Sequence, residues 1–112
     1  MAQFLVQFSY ASRSFRQMVD RPDADHAAEA AALVESVGGK LLGYWLSLGA
    51  FDGVVLIEAP DNSVAASIAI AIGGSGEVSR FQTVALLTTE EARQAARKAA
   101  SATHLPPGQE RG

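Results

Sequence analysis

The chain contains no cysteine among its 112 residues. It therefore has no disulfide framework, no thiolate nucleophile and no cysteine-based metal site, and a reducing compartment suits it. Its two histidines, His26 and His104, are far apart, and neither belongs to a His-x-x-x-His pattern. The sequence consequently predicts neither a metal site nor a cofactor.

Strong net charge and long apolar runs are also lacking. The net charge is −3 and the pI is about 5.2, which gives no general field for nucleic acid or anionic lipid. No run approaches the ~20 apolar residues that span a bilayer, and the N-terminus lacks the basic start and apolar core of a signal peptide. We expect a cytoplasmic protein with no nucleic-acid or membrane partner.

What the chain does contain is the hydrophobic pattern of a single domain, with 48% hydrophobic residues. From Gln3 to Tyr10 the side chains alternate, which indicates a half-buried strand with Phe4, Val6, Phe8 and Tyr10 on one face. Two further strands, residues 40–48 and 53–59, are joined so tightly that they predict an antiparallel hairpin. A fourth strand is expected from Glu77 to about Leu87.

Helices are predicted between these strands. A short helical segment precedes Pro22, and a main helix runs from Pro22 to about Val37. Its core stripe is expected to be Ala27, Ala30, Ala31, Val34 and Val37, and Gly38-Gly39 supplies a left-handed cap. A second main helix begins after Asp61 and ends at Gly73-Gly74, where positive φ is expected.

A third helix follows the last strand. Thr88 and Glu91 form a capping-box pattern, so a helix is expected through about Ala100. We divide the chain into a domain over residues 1–88, an appended helix over 89–101 and a flexible or partner-held tail over 102–112.

The order β-α-β-β-α-β predicts an α+β, ferredoxin-like plait: a four-stranded antiparallel sheet with helices on one face, plus the C-terminal helix. The other face would be bare. Side chains expected there include Leu5, Gln7 and one alternation of Leu41-Gly43-Trp45-Ser47. Because too many of them are apolar for water, we expect a second copy of the chain or the C-terminal helix to cover this face.

In several segments the sequence resembles the GYD-domain family over about Phe4 to Thr88. The segments are Asp20-Arg21-Pro22, Val37-Gly38-Gly39-Lys40-Leu41, Leu48-Gly49-Ala50-Phe51-Asp52 and Ile57-Glu58-Ala59-Pro60-Asp61. The resemblance implies ferredoxin-like protomers of the dimeric α/β-barrel type and no established activity. Phe51 stands where the signature tyrosine is expected, so no role of a phenol hydroxyl carries over there.

The candidate ligand pocket comprises Tyr10, His26, Tyr44, Trp45 and Asp52; no catalytic residue is assigned. Each has a structural alternative: Asp52 can close the hairpin corner through turn amides, His26 can be a partly exposed helix residue, and the aromatic side chains can pack in a core or interface. Gly73-Gly74-Ser75-Gly76 follows a helix instead of preceding one, so it is not a phosphate loop.

The leading functional interpretation is a non-enzymatic homodimer or higher homo-oligomer that binds a partner or a small molecule. The alternative is a cofactor-free enzyme of the dimeric α/β-barrel kind, a monooxygenase or isomerase, with its site in the helix–sheet cleft. A role of the C-terminal helix and tail in docking a partner is the third possibility.

Overall fold

A computed structural model describes residues 1–103 and contains strands and helices in the order β-α-α-β-β-α-β-α. The strands are β1 Ala2–Tyr10, β2 Lys40–Leu46, β3 Gly53–Ala59 and β4 Val78–Leu86. The helices are α1 Ser12–Asp20, α2 His26–Ser36, α3 Asn62–Gly74 and α4 Thr89–Ala100. The predicted tail lies outside the described residues from position 104 onward.

The four strands form one antiparallel sheet in the order β2-β3-β1-β4, which confirms the ferredoxin-like prediction. Phe4, Val6 and Phe8 of β1 are buried, as their alternation predicts. They belong to the same core as Val34 of α2 and Ile68 of α3, so these helices cover the same face of the sheet. Fully burying a side chain such as Ile68 contributes roughly 1.5–3 kcal/mol.

The ends of two helices differ from the sequence prediction. Helix α2 begins at His26 rather than Pro22, because Asp25 is its N-cap and the Asp25 carboxylate accepts a hydrogen bond from the Ala28 amide at 2.9 Å. Ala27, in the first turn of α2, is exposed, so the predicted core stripe was wrong at this residue. Helix α3 continues through Gly74, and positive φ occurs at Gly76 instead, with φ of +75°.

Strand β2 contains a bulge that changes which face one of its side chains occupies. Leu41 pairs with Ile57 and Gly43 pairs with Leu56, so Leu42 is an extra residue between them. Leu41 therefore packs against the core, although strict alternation predicts that it shares a face with Gly43 and Trp45. The expectation for Leu41 was wrong because the bulge interrupts the period of two.

We use the term open face for the side of the sheet opposite α2 and α3. Its central row crosses all four strands through paired residues, and each member is apolar or glycine: Gly43, Leu56, Leu5 and Val84. On one side of this row lie Trp45, Val54 and the hydrogen-bonded glutamines Gln7 and Gln82. None of the helices in residues 1–103 covers this row.

Helix α4 has the predicted capping box, in which the Thr88 hydroxyl accepts from the Glu91 amide and the Glu91 carboxylate accepts from the Thr88 amide. This geometry lowers the pKa of Glu91 through the hydrogen bonds from Thr88. Glu90 forms ion pairs with Arg93 at 3.2 Å and Arg97 at 3.1 Å. Every residue of α4 is exposed, including its alanine seam, so its stability comes from local interactions in the described chain.

Candidate functional site

A cavity of about 340 Å³ lies between the helix-covered face of the sheet and the helices α1, α2 and α3. This volume falls within the usual range for small-molecule sites, roughly 300–1,000 Å³. Most of the wall is apolar and includes Phe8, Met18, Leu33, Leu41 and Ile72. Gln17 and Glu29 line it while being exposed, so the cavity opens to solvent on the side of α1 and α2.

Two tyrosines, Tyr10 and Tyr44, contribute a pair of hydroxyls to the cavity wall. Tyr10 ends β1 and Tyr44 lies on β2, so the two rings reach across the intervening strand β3, and their hydroxyls hydrogen-bond to each other. Phe8 packs edge-on against both rings, with centroid distances of 5.2 Å to Tyr10 and 5.9 Å to Tyr44. Phe15 of α1 packs edge-on against Tyr10 at 5.4 Å. Three aromatic neighbours therefore hold Tyr10, and the pair has a defined orientation.

Both phenols are held in the neutral form. Burial is the largest cause and raises the pKa of Tyr10; the Tyr44 hydrogen bond, next in size, opposes it, and the carboxylates of Asp52 and Glu77 add smaller effects that raise the pKa. Burial also raises the pKa of Tyr44, assisted by its hydrogen bond with Tyr10. At neutral pH the pair can therefore donate a hydrogen bond and carries no charge.

The mouth of the cavity carries His26 at the start of α2, and its Nδ1 lies 4.0 Å from the Glu29 carboxylate. Glu77 also lines the cavity, whereas neither arginine nor lysine is among the lining residues. Charge at this site is therefore supplied by carboxylates and by His26 when it is protonated. Such a lining repels an anionic ligand and tolerates a neutral or cationic one.

The structure brings Tyr10, His26 and Tyr44 together but places Trp45 elsewhere. Trp45 is adjacent to Tyr44 in the strand and therefore points to the open face, where its ring lies over Gly43 so closely that a Cβ there would collide with it. The side chain is 52% exposed. Trp45 is thus a surface residue of the open face and lies outside the cavity lining.

Asp52 also lies outside the lining, but it holds the backbone of Tyr10, which is a lining residue. Its carboxylate accepts a hydrogen bond from the Tyr10 amide at 3.1 Å, and its own amide donates to the Phe8 carbonyl at 2.9 Å. For Asp52 the sequence predicted hydrogen bonds from backbone amides within the turn. The observed donor is instead the amide of Tyr10 in the adjacent strand β1. Because regular pairing of β1 with β3 ends at Phe8 and Gly53, Asp52 extends that pairing by one residue and fixes the backbone of Tyr10.

The rest of the hairpin corner is tied to β4, which lies beyond β1 in the sheet. The Phe51 ring lies 4.4 Å from the Arg80 guanidinium, which also donates to the Ala50 carbonyl. The Ser47 hydroxyl donates to the Phe51 carbonyl at 2.7 Å. At the signature position, therefore, this chain uses an aromatic ring for a cation–π contact, which needs no phenol hydroxyl.

Sequence reasoning missed Ser14, which closes one end of the cavity. Its buried hydroxyl donates to the Glu77 carbonyl at 2.7 Å, and the Ala11 amide donates to the same carbonyl at 2.9 Å. These bonds fix the start of α1 to the chain that enters β4. The short helical segment predicted before Pro22 gave no signal for this contact, since the contact depends on a residue over sixty positions away.

Two negative findings apply to residues 1–103. No group of three or more histidine, aspartate or glutamate side chains is arranged to hold a metal ion. None of the helices in this part of the chain has the length and apolar character needed to cross a membrane.

Solved structures with a similar fold have very different sequences. FFRP-DM1 superposes with a TM-score of 0.52 at 12% identity, over 78% of this chain and 100% of its own. MtbAldR gives 0.54 at 11% identity, over 78% of this chain and 52% of its own. The protein TTHA0845 from Thermus thermophilus gives 0.50 at 13% identity, over 79% and 95%. At these identities the likeness shows the fold alone.

A comparison with curated proteins finds no significant match. The GYD domain pattern, by contrast, matches residues 4–96, the greater part of the chain. This match includes the sheet, the cavity and the hairpin corner, and it continues past Thr88 into α4, beyond the region on which the resemblance rested. The chain is therefore a member of the GYD domain family.

Proposed function

We propose that this protein binds a small, mostly apolar molecule in the cavity beneath α1, α2 and α3, and that it does so as a homo-oligomer. The observation that carries the proposal is the cavity itself, whose mostly apolar wall includes the neutral hydroxyl pair of Tyr10 and Tyr44. Small-molecule sites commonly combine such a wall with few polar groups.

The charge of the lining limits which ligands the cavity can bind. Glu29 and Glu77 are the acidic lining residues, and no lysine or arginine lines the cavity to balance them. An anion entering this space would lose hydration without gaining a lysine or arginine partner. The ligand we propose is therefore uncharged or cationic.

Binding can be tested by filling the cavity. Ala30 lines it, whereas Ala32 lies exposed on the same helix, so Ala30→Phe and Ala32→Phe are matched variants. A thermal-shift screen of uncharged, cationic and anionic metabolites should give hits that are lost in Ala30→Phe and kept in Ala32→Phe. A ligand at 100 times its Kd stabilises a protein by about 2.7 kcal/mol, which such a screen detects. Hits that survive equally in both variants would place binding outside the cavity.

The assembly proposal rests on the open face. Its central row of Gly43, Leu56, Leu5 and Val84 is continuous and uncharged across the sheet. Covering such a row with the same face of a second copy removes apolar area from both at once, at about 25 cal/mol per Å². We therefore propose that the partner is another copy of this chain, joined through the open face.

Matched valine variants test this assembly. Val84 belongs to the open face at the edge strand β4, and Val19 is exposed on α1, on the other side of the molecule. Val84→Lys should shift sedimentation toward the monomer, and Val19→Lys should not. Trp45, the sole tryptophan, should show redder emission in Val84→Lys because its environment becomes wetter. A parent protein that is monomeric at micromolar concentration would contradict the proposal.

A second candidate function is cofactor-free catalysis in the same cavity. The observation that favours it is that His26, Tyr10 and Tyr44 all line one space, which supplies a proton acceptor and neutral proton donors. The test is to incubate each ligand found by the screen with the parent and with His26→Gln and to look for chemical change. Ligands recovered unchanged from the parent would support binding without turnover.

A further inference from the structure

The tyrosine pair has one O–H group that its internal hydrogen bond does not use. Two neutral phenols carry two O–H groups, and one of them is spent on the bond between Tyr10 and Tyr44. Within residues 1–103, no other hydrogen bond to either hydroxyl is present in the structure. The second O–H is therefore available to an acceptor inside the cavity.

We infer that the ligand is an uncharged ring compound with a carbonyl group, and that its oxygen accepts the free O–H of the Tyr10–Tyr44 pair. This inference rests on the proposed binding function and specifies the ligand class. A carbonyl accepts hydrogen bonds and donates none, which complements a pair that has a donor to spare. A carboxylate would also accept, but Glu29 and Glu77 oppose its charge.

The surroundings of the pair favour a flat ring. Phe8 lines the cavity and packs edge-on against both tyrosines, so the wall around the hydroxyl pair is aromatic. Within such a wall an O–H that belongs to a chain of hydrogen bonds is polarised and becomes a better donor. A cavity of roughly 150 Å³ accepts benzene. The 340 Å³ found here suits about two fused rings.

The test compares three probes of the same shape by calorimetry. They are acetonaphthone, its hydrocarbon isostere isopropenylnaphthalene and naphthoate, all as the β isomers. The parent should bind the ketone about five- to tenfold more tightly than the hydrocarbon, the advantage expected from one hydrogen bond. Naphthoate should bind more weakly than the ketone. The infrared carbonyl stretch of bound ketone should move to lower frequency than in a hydrocarbon solvent.

The double variant Tyr10→Phe/Tyr44→Phe should bind the ketone and the hydrocarbon with equal affinity, because no O–H remains to donate. Each single variant keeps one O–H and should keep part of the preference for the ketone. The parent comparison decides the question even where a variant fails to fold. Equal affinity of the parent for ketone and hydrocarbon would overturn the carbonyl assignment, while the proposed binding function would still hold. Binding of none of the three would overturn both, and preference for naphthoate would refute the charge argument.

Discussion

Replacing Asp52 with alanine should destabilise the protein through the backbone of Tyr10. The change removes the acceptor that lies 3.1 Å from the Tyr10 amide and leaves that amide, in a half-buried position, without a partner. Losing a hydrogen bond of this kind costs roughly 1–3 kcal/mol. At about 4 °C per kcal/mol for a domain of this size, the melting temperature should fall by roughly 4–12 °C.

The matched control is Asp52→Asn, which retains an oxygen acceptor of the same shape. We expect it to lose less stability than the alanine variant, and urea unfolding of all three proteins at one concentration measures the difference. Because Asp52 lies outside the cavity lining, ligand affinity should change less in Asp52→Ala than in Tyr10→Phe. If Asp52→Ala has the same melting temperature as the parent, this account is refuted and a direct role of Asp52 in binding is favoured.

Three further predictions concern other parts of the molecule. Burial raises the pKa of both tyrosines above 10, so above this pH the folded chain holds protons that the unfolded chain releases. The free energy of unfolding should therefore be retained below pH 10 and decrease as the pH rises further. The ultraviolet absorbance of phenolate follows the titration. Gly53→Ala should cost about 1–3 kcal/mol in chemical unfolding, because a Cβ there would lie 2.5 Å from the Phe8 ring; Gly49→Ala, with open space around it, should be nearly neutral by comparison. Truncation after Thr88 should change the oligomeric state, since a helix of about 12 residues is marginal in water by itself and α4, exposed along its whole length in the single chain, would be held by a second copy. An unchanged elution volume would make α4 an independent appendage.

The core of the fold could be predicted because it depends on local patterns. The alternation of β1 identified the buried face with Phe4, Val6 and Phe8, and the Thr88–Glu91 pattern identified the start of α4. Gly38 has the predicted positive φ, at +95°. Each of these signals involves residues within a few positions of each other.

The remaining features depend on contacts between distant segments. Asp52 meets the Tyr10 amide over a separation of 42 residues, and no spacing within the hairpin indicates that partner. Tyr44 and Trp45 are neighbours in sequence and were both assigned to the pocket, although adjacent residues of a strand point to opposite faces. The cavity itself needs α1 held by the hydrogen bond from Ser14 to Glu77, the residue before β4, which sequence alone does not show.

The bulge at Leu42 has a consequence for how this strand tolerates changes in length. Removing most single residues from a strand turns every following side chain to the opposite face. Deleting Leu42 would instead join Leu41, opposite Ile57, directly to Gly43, opposite Leu56, and regular pairing would be restored. Tyr44 would still point into the cavity and Trp45 away from it. A gap of one residue at this point in a relative would therefore leave the hydroxyl pair intact.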